Sequence, residues 1–153
     1  MIEIGQPHYR PMSADPVGSA TPVGWRTRVQ LDVGPDGRAG LHRYHSTELV
    51  NDLRCAQLPA GMLDGLDGPR WRPGDRLHVV LDDDGRRHVR SAGADRGDHT
   101  MVEGGPTTVQ RVEGRVWRLP VTAFWQAHRD AATVYSALVR QWLDGSGARR
   151  AWD

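Results

Sequence analysis

Residues 25–45 read WRTRVQLDVGPDGRAGLHRYH, and this stretch decides the fold class. Polar and apolar side chains alternate over 26–33, which is the period-two pattern of a half-buried β-strand. The sequence GPDG follows at 34–37, and proline with an Asp-Gly step favours a tight reversal of the chain. We therefore predict an antiparallel hairpin in which 39–45 returns as the partner strand.

Hairpin signals recur after this stretch. The chain of 153 residues holds 18 glycines and 10 prolines, a content that favours short strands joined by turns over long helices. Alternation and turn residues together locate the elements. We predict a third short strand at 48–53, a turn-rich segment at 59–74, a hairpin of 76–81 with 87–91, a loop at 93–107, and a hairpin of 108–112 with 115–119.

One segment, 127–143, has strong helical periodicity. Its apolar residues recur at spacings of three and four, so they share one face of a helix, and glycines at 145 and 147 would end it. The fold class is therefore α+β, with antiparallel β-hairpins that form a small sheet and one amphipathic helix near the C-terminus. Residues 1–24, with four prolines, are predicted to form an irregular arm. The apolar face of the helix comprises Ala127, Ala131, Val134, Leu138 and Trp142.

Charge and cysteine content narrow the function classes. The formal net charge is +1, so a nucleic-acid partner would need a local basic patch rather than a global field. All 20 basic side chains are arginine, whose planar fork binds two acceptor atoms at once. The single cysteine excludes an intrachain disulfide, and no apolar run approaches the roughly 20 residues of a membrane span. We therefore expect a cytoplasmic protein with no membrane partner.

Residues that could carry catalysis or bind a metal form no recognisable pattern. His42 and His45 are close in sequence, but no third ligand follows at the spacing of a zinc site, so we predict no metal site. Cys55 has no evident activating base, and we interpret it as a small buried residue. The acidic run at 82–84 is typical of a solvated turn, and GGP at 104–106 lacks the strand and helix that flank a phosphate-binding loop.

One local group of basic residues stands out. Arg26 and Arg28 are two positions apart, so they point to the same face of the predicted first strand. Arg43 lies on the predicted partner strand. Three guanidinium groups on one hairpin face would suit an RNA backbone, although an exposed polar sheet face without any ligand would have the same sequence pattern.

Two separated sets of motifs resemble one enzyme family. The first set comprises GWRTRV at 24–29, GLHRYHS at 40–46, ELV at 48–50 and Cys55, and the second comprises FWQ at 124–126, the helix that follows, and AWD at 151–153. In this order and spacing they resemble the bacterial SAM-dependent RNA (uracil-5-)methyltransferases, which include the 23S rRNA enzymes and their tRNA-modifying relatives. The resemblance covers roughly 24–58 and 108–153.

The resemblance implies a domain organisation and a set of binding residues. Residues 25–123 would be a β-rich central RNA-binding domain. Residues 124–153 would hold a linker helix and the start of a SAM-dependent methyltransferase domain, truncated before its Rossmann-like part. Phe124 would lie near the target base, and its alternative role is core packing at the entrance of the helix. The residues implied to bind SAM are Gln126 and Asp153, and those implied to bind RNA are Arg26, Arg28, Arg43, Ser46 and Phe124.

The resemblance also implies an activity that this chain would not perform alone. In the family, a cysteine thiolate adds to C6 of uracil, and C5 then takes the methyl group of SAM. The nucleophile, the base and most of the SAM site would follow residue 153, so we expect no catalytic residue here and an inactive isolated chain. Cys55 matches one of four cluster cysteines, and because it is the only cysteine we expect no iron–sulfur cluster.

The expected partner is RNA, with rRNA as the first candidate, and a separate chain that carries the catalytic domain is a further candidate. The alternative function is a stand-alone RNA-binding module without catalysis. An unrelated β-rich structural domain is the third interpretation.

Overall fold

The computed structural model describes residues 23–68, 70–93 and 98–144. Within them the chain forms eight β-strands followed by one α-helix, which confirms the expected α+β class. The predicted arm up to residue 22, the glycines at 145 and 147, and Asp153 lie outside the described residues. The elements are β1 (Arg28–Val33), β2 (Ala39–His42), β3 (Leu49–Val50), β4 (Arg76–Leu81), β5 (Arg87–Ala92), β6 (His99–Glu103), β7 (Thr107–Val112), β8 (Arg115–Pro120) and α1 (Ala131–Leu143).

Six strands form one antiparallel sheet in the order β3-β2-β1-β4-β5-β6, and β7 pairs with β8 in a separate two-stranded sheet. The second and third predicted hairpins are confirmed as β4 with β5 and β7 with β8. At the centre of the large sheet, β4 lies between β1 and β5, so that Val79 pairs with Val29 on one side and with Val89 on the other. This central strand therefore connects two predicted hairpins into one sheet.

One face of the large sheet packs on a hydrophobic core. Side chains alternate between the two faces of a strand, so the core takes every second residue of β1 and β4. Leu31, Leu77, Val79 and Val89 are fully buried there. Complete burial of such a side chain stabilises the fold by roughly 1.5–3 kcal/mol. The segment 58–66, predicted from sequence only as turns, covers this core with Leu58, Met62, Leu63 and Leu66.

The strands around the first hairpin are shorter than predicted. β2 ends at His42 rather than at residue 45, and β3 contains only Leu49 and Val50 instead of 48–53. The chain turns between these strands, where the N–H of Arg43 donates to the carbonyl of Glu48. The hairpin between β2 and β3 therefore uses residues that the sequence pattern had assigned to strands.

A strand also lies inside the predicted loop at 93–107. β6, His99–Glu103, pairs with β5 at the edge of the sheet, and the register shifts between Val89 and Arg90. Four of its five residues are exposed. An edge strand of this kind is held by backbone hydrogen bonds to one neighbour, so it needs no apolar alternation that the sequence would reveal.

The helix begins four residues later than predicted. α1 spans Ala131–Leu143, whereas the apolar spacing indicated 127–143. The carbonyl of Ala127 accepts a hydrogen bond from the N–H of Thr27, and the N–H of Arg129 donates to the carbonyl of Trp25. These backbone groups pair with the segment that leads into β1, so they are not available for a helical ladder.

A buried histidine–aspartate pair joins the large sheet to the β7–β8 hairpin. The His88 ring lies with Nε2 3.1 Å from Asp82 Oδ2 and with Nδ1 2.8 Å from the carbonyl oxygen of Gly105. The N–H of Val109 on β7 donates to the same Asp82 oxygen at 3.1 Å. Gly104 has a φ of +69°, and a Cβ there would lie 2.6 Å from a backbone carbonyl oxygen, so glycine permits this close approach. The pair therefore holds β7 against the end of the sheet.

Candidate nucleic-acid interface

The outer face of β1, β4 and β5, opposite the core, carries a band of polar and basic side chains. Antiparallel pairing sets Arg28 opposite Val80 and Gln30 opposite His78. His78 in turn lies opposite Arg90 on β5. Directly paired residues project from the same face of a sheet, so this band crosses three strands. We call Arg28, Gln30, His78 and Arg90 the basic face.

Arg28 is the most constrained cation of the basic face. Its Nη2 donates to the carbonyl oxygen of Val121 at 3.1 Å. Its Nη1 is buried and has no hydrogen-bond partner in the described part of the chain. Burial lowers the pKa of this guanidinium, but arginine stays charged at neutral pH. A buried charged donor without an acceptor costs free energy, so movement of this side chain towards the adjacent cavity, where a ligand oxygen atom could reach Nη1, would be favourable.

The cations of this face act on the histidine at its centre. Burial lowers the pKa of His78, and the charges of three nearby arginines, Arg90, Arg76 and Arg28, lower it further. The ring is therefore neutral at neutral pH, and the positive charge comes from the arginines. Arg76 is paired, since its Nε donates to Asp32 at 2.9 Å. Arg90 has no carboxylate partner among the described residues, so Arg28 and Arg90 are the two cations best placed to bind an anion.

The segment 121–125 borders a shallow cavity of about 220 Å³ beside the basic face. Val121 is buried, and its N–H donates to the carbonyl of Pro106, which fixes the start of the segment. Phe124 projects from the segment with 84% of its surface exposed. This exposure excludes the alternative in which Phe124 packs into the core of the described fold. An exposed aromatic ring beside arginines suits the stacking of an unpaired base.

Arg26 lines the same cavity, although it does not lie on a strand. It forms an isolated β-bridge with His128, and its Nε donates to the carbonyl of Arg28 at 3.1 Å. The adjacent Trp25 ring stacks on His128 with 5.2 Å between the ring centroids. The structure thus brings together Arg26, Arg28 and Phe124, three of the five residues predicted to bind RNA.

Arg43 and Ser46 lie elsewhere, so the predicted hairpin face with three arginines is wrong. β1 pairs with β2 only at 32–33, and β2 ends before it reaches the position opposite Arg28. Arg43 instead forms an ion pair with Glu48 at 3.1 Å. The hydroxyl of Ser46 accepts a hydrogen bond from the N–H of Glu48 at 3.0 Å, which closes the turn between β2 and β3. Contacts of Arg43 and Ser46 with RNA stay predictions.

The predicted SAM contacts give no cofactor pocket by themselves. Gln126 is exposed on the segment that precedes α1, and Asp153 lies outside the described residues. Gln126 makes no hydrogen bond to other described residues. Ligand pockets usually bury most of a molecule of this size, and one exposed amide does not. The described residues therefore do not form a pocket that fits SAM.

Cys55 is half-buried and packs against the hydrophobic core, so it is more exposed than the sequence interpretation assumed. Over 23–68, 70–93 and 98–144, no three His, Cys, Asp or Glu side chains converge as they would around a metal ion. No helix in these ranges is both long and apolar enough to cross a membrane.

Gln30, His78 and Arg90 are not predicted from the sequence as members of one surface. Part of the signal was present, because the predicted hairpin of 76–81 with 87–91 already sets His78 opposite Arg90. The pairing of β1 with β4 was not predictable in this way. The two strands are joined by more than forty residues, and local alternation does not specify which strands become neighbours.

Several curated proteins are similar in sequence to this chain. The chain is 39% identical over 145 residues to a Corynebacterium diphtheriae protein named uncharacterized RNA methyltransferase, a match that covers 88% of this chain and 34% of that protein. A Corynebacterium glutamicum protein with the same description is 40% identical over 132 residues, covering 80% and 32% of the two chains. A Streptomyces coelicolor protein, also so named, is 31% identical over 157 residues, covering 87% and 34%.

No protein-family model and no solved structure matches the chain. The chain spans about one third of the length of the curated relatives. It is therefore a homologue of proteins named as RNA methyltransferases, and it corresponds to a segment of each of them.

Proposed function

We propose that this chain is the RNA-binding portion of a SAM-dependent RNA methyltransferase that modifies C5 of a uridine, with rRNA as the first candidate substrate. The names of its homologues support RNA as the substrate and methyl transfer as the reaction. The observation that carries the RNA-binding part is the cavity that Arg26, Arg28 and the exposed ring of Phe124 border. The expected place of action is the cytoplasm.

The basic face suits a single-stranded segment of RNA. Phosphate oxygens would accept hydrogen bonds from Arg28 and Arg90, because guanidinium groups bind phosphate with two parallel donors. The exposed ring of Phe124 would stack on an unpaired base. Gln30 and His78 lie between the two arginines, and their polar atoms are within the same surface to contact ribose or base edges. Each contact is made by a side chain that points away from the core.

Methyl transfer would need a nucleophile, a base and a SAM pocket, which we expect in the rest of the protein. SAM, when bound there, supplies the electrophilic methyl group. The role proposed for this chain is to bind the RNA and to present an unstacked nucleotide, and Gln126 would contribute at most one contact to the donor. The isolated chain should therefore transfer no methyl group from radiolabelled SAM to RNA, and measurable turnover would contradict this division of roles.

Substitution of an arginine on the basic face tests RNA binding directly. Arg90→Gln removes one cation without removing a described ion pair, and we expect the affinity for a fluorescent single-stranded, uridine-containing RNA to fall roughly three- to tenfold. The slope of log affinity against log salt should also decrease by about one unit. Fluorescence anisotropy over a salt series measures both quantities.

Arg38→Gln is the matched control. Arg38 is exposed beside the turn between β1 and β2, about 17 Å along β1 from Arg28. The RNA affinity and the salt slope of this variant should equal those of the unmodified chain. Equal losses in both variants would indicate diffuse electrostatic attraction rather than the basic face.

Phe124→Ala tests the stacking contact. Loss of one base–aromatic stack costs about 1–3 kcal/mol, so RNA affinity should fall about tenfold with little change in salt slope. The free energy of unfolding should stay the same within about 0.5 kcal/mol, because the ring is exposed. Unchanged affinity in anisotropy would remove Phe124 from the interface.

A further inference from the structure

The rest of the described chain buries little of the surface of helix α1. It has 13 residues, and Ala131 is its only buried residue. Isolated helices shorter than about 12–15 residues are marginal in water, and most helices in proteins depend on packing of their apolar face. Tyr135, Val139 and Trp142 keep 46%, 48% and 67% of their surface exposed. These three side chains form a second apolar side of the helix, next to the half-buried Val134 and Leu138, and the described chain leaves it largely uncovered.

A groove runs between α1 and the β7–β8 hairpin. Its volume is about 540 Å³, and its apolar lining includes Val112, Trp117 and Trp125 from one side and Tyr135 and Val139 from the other. The ring centroids of Trp117 and Trp125 are 6.4 Å apart, so two large rings, one from β8 and one from the segment before α1, line the groove together. An exposed apolar surface of this kind, with polar residues at its margin, marks an interaction site.

The groove is preformed within the described chain. Arg140 on α1 forms an ion pair with Glu113 at the tip of the hairpin, which ties the two walls together at one end. Arg115 lies on the same margin and has no ion pair among the described residues. At this margin the charge of Arg140 is neutralised by Glu113, whereas Arg115 has no carboxylate partner among the described residues. The margin therefore suits a partner that carries carboxylates beside an apolar ridge.

We propose that this groove docks the polypeptide that the relatives carry beyond the segment matched by this chain. These relatives are about three times as long as the matched segment, so an intact protein of this kind holds a large partner for the groove in the same chain. Covalent connection gives such a partner a high effective concentration, of the order of millimolar, so a groove of modest size is sufficient. A second copy of the chain is the competing occupant.

This docking surface is distinct from the basic face. The cavity beside Arg28 and Phe124 and the groove beside Val139 share only Trp125 among their lining residues. RNA and the remaining polypeptide would therefore contact this domain on different sides of the segment 121–130. Docking rests on the part of the proposed function that makes this chain a segment of a longer protein. It does not depend on RNA binding, so loss of RNA binding and loss of docking are measured separately.

Hydrogen–deuterium exchange tests the occupant. The amides of 131–143 should exchange quickly in the isolated chain, and the corresponding helix should exchange at least tenfold more slowly in the intact Corynebacterium diphtheriae relative. Equal exchange in the two proteins would overturn the proposal. Slow exchange in the isolated chain that depends on protein concentration, together with a dimer in analytical ultracentrifugation, would assign the groove to a second copy and also overturn it.

A matched pair of variants locates the contact. The protein for this test is the intact C. diphtheriae relative with its matched segment exchanged for this chain. Val139→Asp places a charge in the groove and should restore fast exchange of 131–143. Val116→Asp places the same charge on β8, at a residue that is 43% exposed but does not line the groove, and it should leave the exchange unchanged.

Protection that survives Val139→Asp, or that both variants abolish equally, would overturn the proposal. If the chimeric protein, which carries this chain in place of the matched segment, does not fold, the comparison of the isolated chain with the unmodified relative still tests whether the groove is occupied. RNA affinity of the isolated chain, measured in the same variants, should not change, and this keeps the test separate from that of the basic face.

Discussion

The six-stranded sheet and the segment from β7 to α1 differ in how much of their apolar surface they bury. In the sheet, Leu31, Leu77 and Val79 are fully buried beneath the segment 58–66. In the hairpin and the helix, large apolar side chains such as Trp117 and Tyr135 keep almost half of their surface exposed. The sheet therefore buries its own core, whereas the later segment leaves large apolar side chains exposed, as protein interaction surfaces do.

This difference in apolar burial indicates which part of the chain provides most of the stability and which parts are free to bind partners. Hydrophobic burial contributes free energy in proportion to the apolar area removed from water, so the sheet should hold most of the stability of the described fold. The basic face lies on the outer side of this stable sheet, where its side chains can be held in position. The groove, in contrast, lies where the helix and the hairpin leave large apolar side chains exposed.

A pair of valine substitutions should show the largest effect and test the comparison directly. Val79→Ala in the core should lower the free energy of unfolding by about 2–3 kcal/mol, through lost burial and a residual cavity. Val139→Ala on α1 should change it by less than about 0.5 kcal/mol, because this valine is 48% exposed. Urea unfolding followed by circular dichroism measures both. Similar losses would show that α1 is packed by the isolated chain.

The junction between the two regions should be the next most sensitive. His88 faces two acceptors, Asp82 and the carbonyl of Gly105, and its side chain is only 3% exposed. His88→Ala leaves a buried carboxylate without this donor, and it should lower the free energy of unfolding by roughly 1.5–2 kcal/mol. His99→Ala, at an exposed edge-strand residue, is the control and should be near neutral. Equal effects in the two variants would contradict a structural role for the pair.

Acid should weaken the same junction by a smaller amount. Burial acts to raise the pKa of Asp82, but hydrogen bonds from the N–H groups of Arg86 and Val109 and from His88 outweigh it, so the pKa lies below its ordinary value. The stability that this shift contributes is complete above the unfolded pKa of about 3.9 and is lost as the pH falls through the lower folded pKa. Asp82→Asn should therefore flatten the loss of stability below about pH 4. Parallel curves for the two proteins would contradict the shift.

Much of the fold could be predicted because its signals are local. The hairpin of β4 with β5 follows from alternation on both sides of the turn Asp83-Asp84-Gly85, and that of β7 with β8 follows from alternation around Glu113-Gly114. The edge strand β6 was missed because backbone pairing with β5, rather than its own side chains, holds it in the sheet. The helix was placed four residues too early, because the spacing of apolar residues does not reveal that the carbonyl of Ala127 is engaged by Thr27.

The candidate site was predictable only in part. Arg26, Arg28 and Phe124 were selected from the sequence, and the structure sets them around one cavity. The sequence pattern also predicts Arg43 beside them, because its strand is expected to continue opposite β1, but β2 ends at His42 and the chain turns away. His78 and Arg90 were not selected, although they complete the basic face.

The sequence by itself determined the α+β class, the hairpins with tight turns and the alternation that divides core from surface. These features depend on residues a few positions apart, whose sterics and hydrophobicity act within one strand or turn. Only the tertiary structure decided that Gln30 lies beside His78, that segment 58–66 covers the core, and that α1 leaves an apolar groove open. Contacts between distant segments are selected by the packing of the whole chain, and no local pattern records that choice.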